Sequence, residues 1–189
     1  MADLRVSQQW LRTMIWQLAT GAGFLSSTPT HPCLDFRYPL QIARDLSLAT
    51  WKLSRDSMET HGIGLIEKVF EVACTLTDVM ACLSSTGIRS SGFEMGPQDY
   101  LKHLVTLVYS LPGGRRRFLP LLLTKLGQTL PSMLQPISRH LNLPGRGDNA
   151  AEEEEKDETV LTEYVRDFNW AEMSRIGAKT PEVDEAFRL

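Results

Sequence analysis

The chain has 189 residues, 42% of them hydrophobic, and a formal net charge of -3. A chain of that length buries roughly 70% of the surface its unfolded form exposes, so a packed core is expected. The negative balance argues against a dedicated nucleic-acid binder, which needs a local excess of Lys and Arg over the phosphates it neutralises.

Charge is unevenly placed. Residues 1–144 carry 14 basic and 10 acidic groups, residues 145–158 carry 2 and 7, and residues 159–189 carry 4 and 6, so a mildly basic body precedes an acidic tail. The three cysteines, Cys33, Cys74 and Cys82, cannot all pair with each other. Reduced thiols in a nuclear or cytosolic protein explain that number best. The first residues, MADLRVSQQWLRTM, have no uninterrupted apolar core of a signal peptide, and no apolar run reaches the roughly 20 residues of a membrane span.

In chain order, LRVSQQWLRTMIWQL predicts an amphipathic helix, with Leu4, Leu11, Met14, Ile15 and Leu18 at helical spacings and Trp10 and Trp16 beside them, stopping at Gly21-Ala-Gly23. The prolines and hydroxyls of FLSSTPTHPCLDFRYPL predict a loop. A second helix is expected over about 38–58. The third follows SMETHGIG, and its angular pattern is informative: at about 100° per residue, Glu67, Lys68, Glu71, Thr75 and Asp78 share one sector of roughly 100°, and apolar residues fill the rest. So wide an apolar face needs cover from several sides, which makes this helix central, with the polar sector read as its solvent side. Pro97 and Asp99 suit the first turn of a fourth helix, PQDYLKHLVTLVYSL. RRRFLPLLLTKLGQTL predicts a fifth whose regular part follows Pro120, and Pro131 and Pro136 break the pattern beyond it. Residues 144–158, PGRGDNAAEEEEKDE, read as a linker, and TVLTEYVRDFNWAEMSRI as a last amphipathic segment. The fold class is all-α, an irregular multi-helix bundle. The organisation is a helical domain at 1–143, an acidic linker at 144–158 and an amphipathic tail at 159–189.

No constellation for catalysis or metal binding stands out. His61-Gly62-Ile63-Gly64 lacks the third glycine and the preceding strand of a dinucleotide cradle; the plain reading is a tight interhelical turn, the sharper one a small-molecule-binding turn. His31, His61, His103 and His140 are isolated, and no Cys/His cluster or activated serine is present. Arg115-Arg116-Arg117 stand where a helix begins, an unfavourable place for cations without a nearby anion. They read as a solvated basic turn or as a site for an acidic segment such as residues 152–155 of the same chain. In the tail, acidic residues interleave with Val160, Leu161, Tyr164, Phe168 and Trp170, which reads as a final docked helix or as an acidic-hydrophobic activation segment.

The words SQQWLRTMIWQL, YPLQIARDL and SMETHGIGLIEKVFEVACTLTDVM, in that order, resemble the C-terminal half of the all-helical regulatory region of fungal zinc binuclear-cluster transcription factors, over roughly residues 1–140. The resemblance implies a nuclear transcription regulator whose helical region senses effectors and contacts regulatory or transcription-machinery proteins. Such factors hold two zinc ions in two C-x2-C-x6-C sets, which three scattered cysteines cannot form, so no cofactor is expected in this chain and DNA is reached indirectly or through a separate module. The chain is accordingly expected to be a fragment, a truncated gene product or a protein acting through a partner. The candidate interaction or regulatory residues are Trp10, Trp16, His61, Gly62, Gly64, Glu67, Lys68, Arg115, Arg116, Arg117, Tyr164, Phe168 and Trp170. The alternative is an α-helical small-molecule-binding protein or enzyme, which requires a polar pocket converging on His61, Glu67 and Asp78.

Overall fold

The computed structural model describes residues 2–26, 28–84 and 95–143; the predicted linker and tail, with Tyr164, Phe168 and Trp170, lie outside them. The described residues are all-α, with no strand among them. Helix α1 spans Ala2–Gly21, a single 3-10 turn covers Pro32–Leu34, and α2 spans Tyr38–Trp51. Then follow α3 (Arg55–Glu59), α4 (Gly62–Ser84), α5 (Pro97–Ser110), α6 (Gly114–Arg117), α7 (Leu119–Thr129) and α8 (Pro131–His140).

Helix α4 is the hub, packed against α1, α2, α5 and α7. Its apolar residues Leu65, Ile66, Val69, Val72, Ala73 and Leu76 are all buried and join Ile42 and Leu46 of α2, Leu101 and Leu104 of α5, and Leu122 and Leu126 of α7 in one core. An apolar sector that wide has no other way to leave water.

Three local features depart from the sequence expectation. The helix expected over 38–58 divides, because Ser54 is extended and its hydroxyl accepts the Ser57 N–H at 3.3 Å, starting α3 as a separate short helix. The segment after Pro131 is helical: that proline occupies the first turn of α8, where its missing N–H has no bond to lose, and the internal Pro136 is tolerated in a ten-residue helix. The third departure concerns α1. Its buried residues are Ala2, Val6, Gln9, Thr13 and Trp16, whereas Leu4, Leu11, Ile15 and Leu18 are exposed by 71, 54, 56 and 65%. The more apolar stripe of α1 therefore faces solvent.

The cause lies on α4. Its polar sector is roofed by α1 and α7, so the side of α1 that meets it is polar as well. Thr13, Thr50, Thr75 and Thr77, all buried, satisfy their hydroxyls on the carbonyls four residues earlier in their own helices, which lets polar residues pass through the interior.

Gly62 answers the question of the His-Gly-Ile-Gly stretch locally. Its φ is +64°, which opens α4 by a left-handed turn, while Gly64 lies in the first turn of α4 with open space where a Cβ would be. Gly62→Ala is expected to cost about 1–2 kcal/mol, and Gly64→Ala to add about 0.5–1 kcal/mol of stability. Urea midpoints of the two variants, moving in opposite directions, check this assignment of a turn glycine and a helix glycine.

Candidate functional site

Four side-chain contacts stitch α1 to the polar sector of α4. Lys68 Nζ reaches Asp3 Oδ1 at 2.8 Å and donates to Ser7 Oγ at 2.7 Å; Trp10 Nε1 donates to Glu71 Oε2 at 2.5 Å; Gln17 Nε2 donates to Thr75 Oγ1 at 2.7 Å. The numbers rise together, so the two helices run in the same sense. One turn further, Asp78 pairs with Lys125 of α7 at 2.8 Å. The sector read as the solvent side of α4 is thus a half-buried polar seam.

The seam has uneven electrostatics. The Asp3 carboxyl is held below its usual value chiefly by the Lys68 hydrogen bond, with a smaller contribution from His61. The Glu71 carboxyl is pushed up by burial; the Trp10 hydrogen bond opposes that, and the Glu67 charge adds to it. A raised carboxyl favours its protonated form in the folded state, so Glu71 opposes folding above its folded value and ceases to do so below the unfolded value of about 4.3. Glu71→Gln, which keeps an acceptor for Trp10, is therefore expected to be more stable than the parent at pH 7 and to lose that advantage near pH 4, as read by chemical denaturation at the two pH values.

A second polar cluster joins α1, α2 and α5. Arg12 Nη1 bridges to Asp45 at 2.7 Å and its Nε donates to the Tyr38 hydroxyl at 2.9 Å. Trp16 Nε1 donates to the Asp35 carbonyl at 3.0 Å, with its ring against Phe36. Thr50 Oγ1 lies 2.9 Å from His103 Nε2, and the half-buried imidazole, its ring centre 4.9 Å from that of Trp51 at a tilted angle, has its pKa lowered by burial.

The expected residues are therefore only partly brought together. Trp10 and Lys68 share the α1–α4 seam, where Glu67 acts on Glu71 through its charge. His61 is exposed at the start of α4. Trp16 belongs to the other flank of α1. Glu67 and Asp78 stand eleven residues apart on one helix, about 16 Å at 1.5 Å per residue, so they do not converge with His61 on a common pocket. Two grooves among the described residues lie elsewhere. One, of about 260 Å³ between α1 and α2, is lined by Arg5, Gln8, Asp45, Leu48 and Lys52 among others; one of about 270 Å³ is lined by Arg44, Leu48, Met95 and Tyr100.

Arg115, Arg116 and Arg117 form most of α6, and all three are exposed. Arg115 lies 4.9 Å from the Tyr109 ring centre and Arg117 lies 5.5 Å from that of Phe118. A four-residue helix has almost no dipole, so the electrostatic cost expected of these cations is largely absent. Sequence reading missed Asp3, Gln17, Thr75 and the Thr50–His103 pair, whose partners are 53 to 65 residues away in sequence.

Burial pushes the Cys74 thiol up to about 12, while Cys33, in the 3-10 turn, and Cys82, on α4, are exposed. Among the described residues no group of three or more His, Cys, Asp and Glu side chains is placed to hold an ion, and no helix is long and apolar enough to cross a membrane.

Comparison with known proteins supports the resemblance. The chain is 25% identical over 146 residues to the maltose fermentation regulatory protein MAL13 of Saccharomyces cerevisiae, a match covering 76% of this chain and 28% of that protein. It is 27% identical over 159 residues to the maltose fermentation regulatory protein MAL63 of the same species, covering 81% of this chain and 30% of that one. It is also 28% identical over 78 residues to the respiratory transcription factor ZNF1, covering 41% and 17%. The chain thus spans less than a third of the length of these relatives, two of them named as regulatory proteins of maltose fermentation and one as a transcription factor. No family model matches the chain, and no solved structure matches it.

Proposed function

We propose that this chain is a regulatory, protein-interacting helical domain of a fungal transcription regulator, acting in the nucleus through contacts with other proteins or an effector and without bond chemistry. The observation that carries the reading is the match of three quarters or more of the chain to two maltose fermentation regulatory proteins, with part of it also matching a transcription factor. The geometry is consistent with it. Lys68, Glu71, Thr75 and Asp78 along α4 each serve a helix–helix contact, and His61, Glu67 and Asp78 do not meet at a common pocket. DNA recognition, with its zinc, falls to a module other than these residues, because their thiols cannot assemble one. The groove between α1 and α2, with Arg5 and Lys52 on its walls, suits a small anionic effector or an acidic partner segment.

The experiment is a tethering assay. The full 189-residue chain is fused to an unrelated DNA-binding module above a reporter gene in yeast, and regulatory proteins bound to it are identified by affinity capture. The expected result is a shift of reporter output relative to the bare module. A fusion that behaves as the bare module and captures no transcriptional protein overturns the reading.

A further inference from the structure

The outer stripe of α1 has the register of a coiled coil. Leu4, Gln8, Leu11, Ile15 and Leu18 are all exposed and recur at spacings of four, three, four and three, over about 21 Å of helix. In heptad terms leucine fills the three d positions, and the two a positions hold Gln8 and Ile15. Isoleucine at a with leucine at d favours two strands, and a single polar residue at a fixes their register. Val6, Gln9, Thr13 and Trp16, on the opposite side of the helix, are buried against the body of the domain. Leu48 of α2, exposed by 43% across the groove that Arg5 and Gln8 line, widens the apolar patch.

We propose that the outer face of α1 joins two copies of this chain as a short parallel coiled coil, with Gln8 of one copy paired to Gln8 of the other. Gln8 makes no side-chain hydrogen bond among the described residues. A primary amide offers both donors and an acceptor, so it is complementary to a second copy of itself. An apolar helix of a different protein would bury that amide unmatched, which is costly. Charge then sets the direction. Arg5 and Arg12 stand at the e positions, and Ser7 and Met14 at the g positions. In a parallel pair each g residue faces an e residue of the other helix, so Ser7 meets Arg12, Met14 meets Ala19, and no like charges are opposed. An antiparallel pair sets e against e, which brings Arg5 or Arg12 of one copy against Arg12 of the other. Burying a leucine or isoleucine removes on the order of 100 Å² of apolar surface. Each copy thus buries roughly 500 Å² and the pair about 1,000 Å², the threshold of a specific interface. The dimer is accordingly weak, with a dissociation constant on the order of tens of micromolar. This pairing needs no role in transcription.

Sedimentation equilibrium of the full chain under reducing conditions, from about 1 to 200 µM, tests it. The expected result is a monomer that passes to a dimer and to nothing larger. Leu11→Gln with Ile15→Gln, both at exposed positions, is expected to stay monomeric throughout with an unchanged helical circular-dichroism signal. Gln8→Ile is expected to tighten the dimer about tenfold or more, a gain that loss of fold cannot produce. Leu18→Cys, in a chain that also carries Cys33→Ser and Cys82→Ser, reports the direction. In the parallel pair the two thiols at position 18 lie within disulfide reach, whereas antiparallel pairing holds them about 15 Å or more apart. A parent that is still monomeric at about 200 µM overturns the proposal. So does a dimer that survives the Leu11 and Ile15 double variant, a Gln8→Ile chain that pairs no more tightly than the parent, or a Leu18→Cys chain that forms no disulfide-linked dimer on oxidation.

Discussion

Gly114→Ala is expected to destabilise the fold by about 3 kcal/mol, the upper end of what an overpacked interior site costs, and to lower the urea midpoint in proportion. A Cβ built at Gly114 lies 2.1 Å from the Val108 carbonyl oxygen and 3.1 Å from Ile66 Cγ2. The first is backbone in the last turns of α5, and a rotamer change cannot move it; the second belongs to the fully packed face of α4. The chain comes this close because α5 ends at Ser110, the backbone turns through Gly113 at φ +84°, and α6 starts at Gly114 against Ile66 of α4. The neighbouring Gly113→Ala is the control. Its Cβ meets only the end of the Ile63 side chain at 3.1 Å, so the left-handed conformation alone sets its cost, about 1–2 kcal/mol. If the two variants unfold at the same midpoint, the close approach at Gly114 is not what fixes this corner.

How much of this was legible depended on whether a signal was local. The central position of α4 was readable because its apolar sector is too wide for one neighbour, and the start of α5 because Pro97 and Asp99 suit a first turn; Asp99 indeed accepts the Gly96 N–H at 3.1 Å. The orientation of α1 was not readable. Leu4, Leu11, Ile15 and Leu18 form its obvious apolar stripe, yet α4 offers it a polar seam, and only the pairing of Lys68 with Asp3 and of Trp10 with Glu71 decides which side turns inward. The same long-range matching hid Gln17 and Thr75. The break at Ser54 and the helix after Pro131 were misread for the opposite reason. Both rest on capping geometry at a single residue, which periodicity over a longer window averages away.

Phe118→Ala is expected to cost about 3–5 kcal/mol, as full removal of a buried ring does. Phe118 is 1% exposed at the junction of α6 and α7, and its ring centre lies 5.2 Å from that of Phe70 on α4. Its backbone is equally committed: the N–H donates to the Gly114 carbonyl and its own carbonyl accepts the Leu122 N–H, each at 3.0 Å. The short α6 leaves few other anchors, so the cavity cannot close without moving α7 on α4. Phe118→Leu, which keeps most of the volume, is expected to cost less than about 1.5 kcal/mol, and Leu11→Ala on the outer face of α1 about 0.5 kcal/mol or less. A urea series on the three variants with an unchanged slope would show this order. A loss at Leu11 comparable to that at Phe118 would mean that the outer face of α1 is covered in the folded protein.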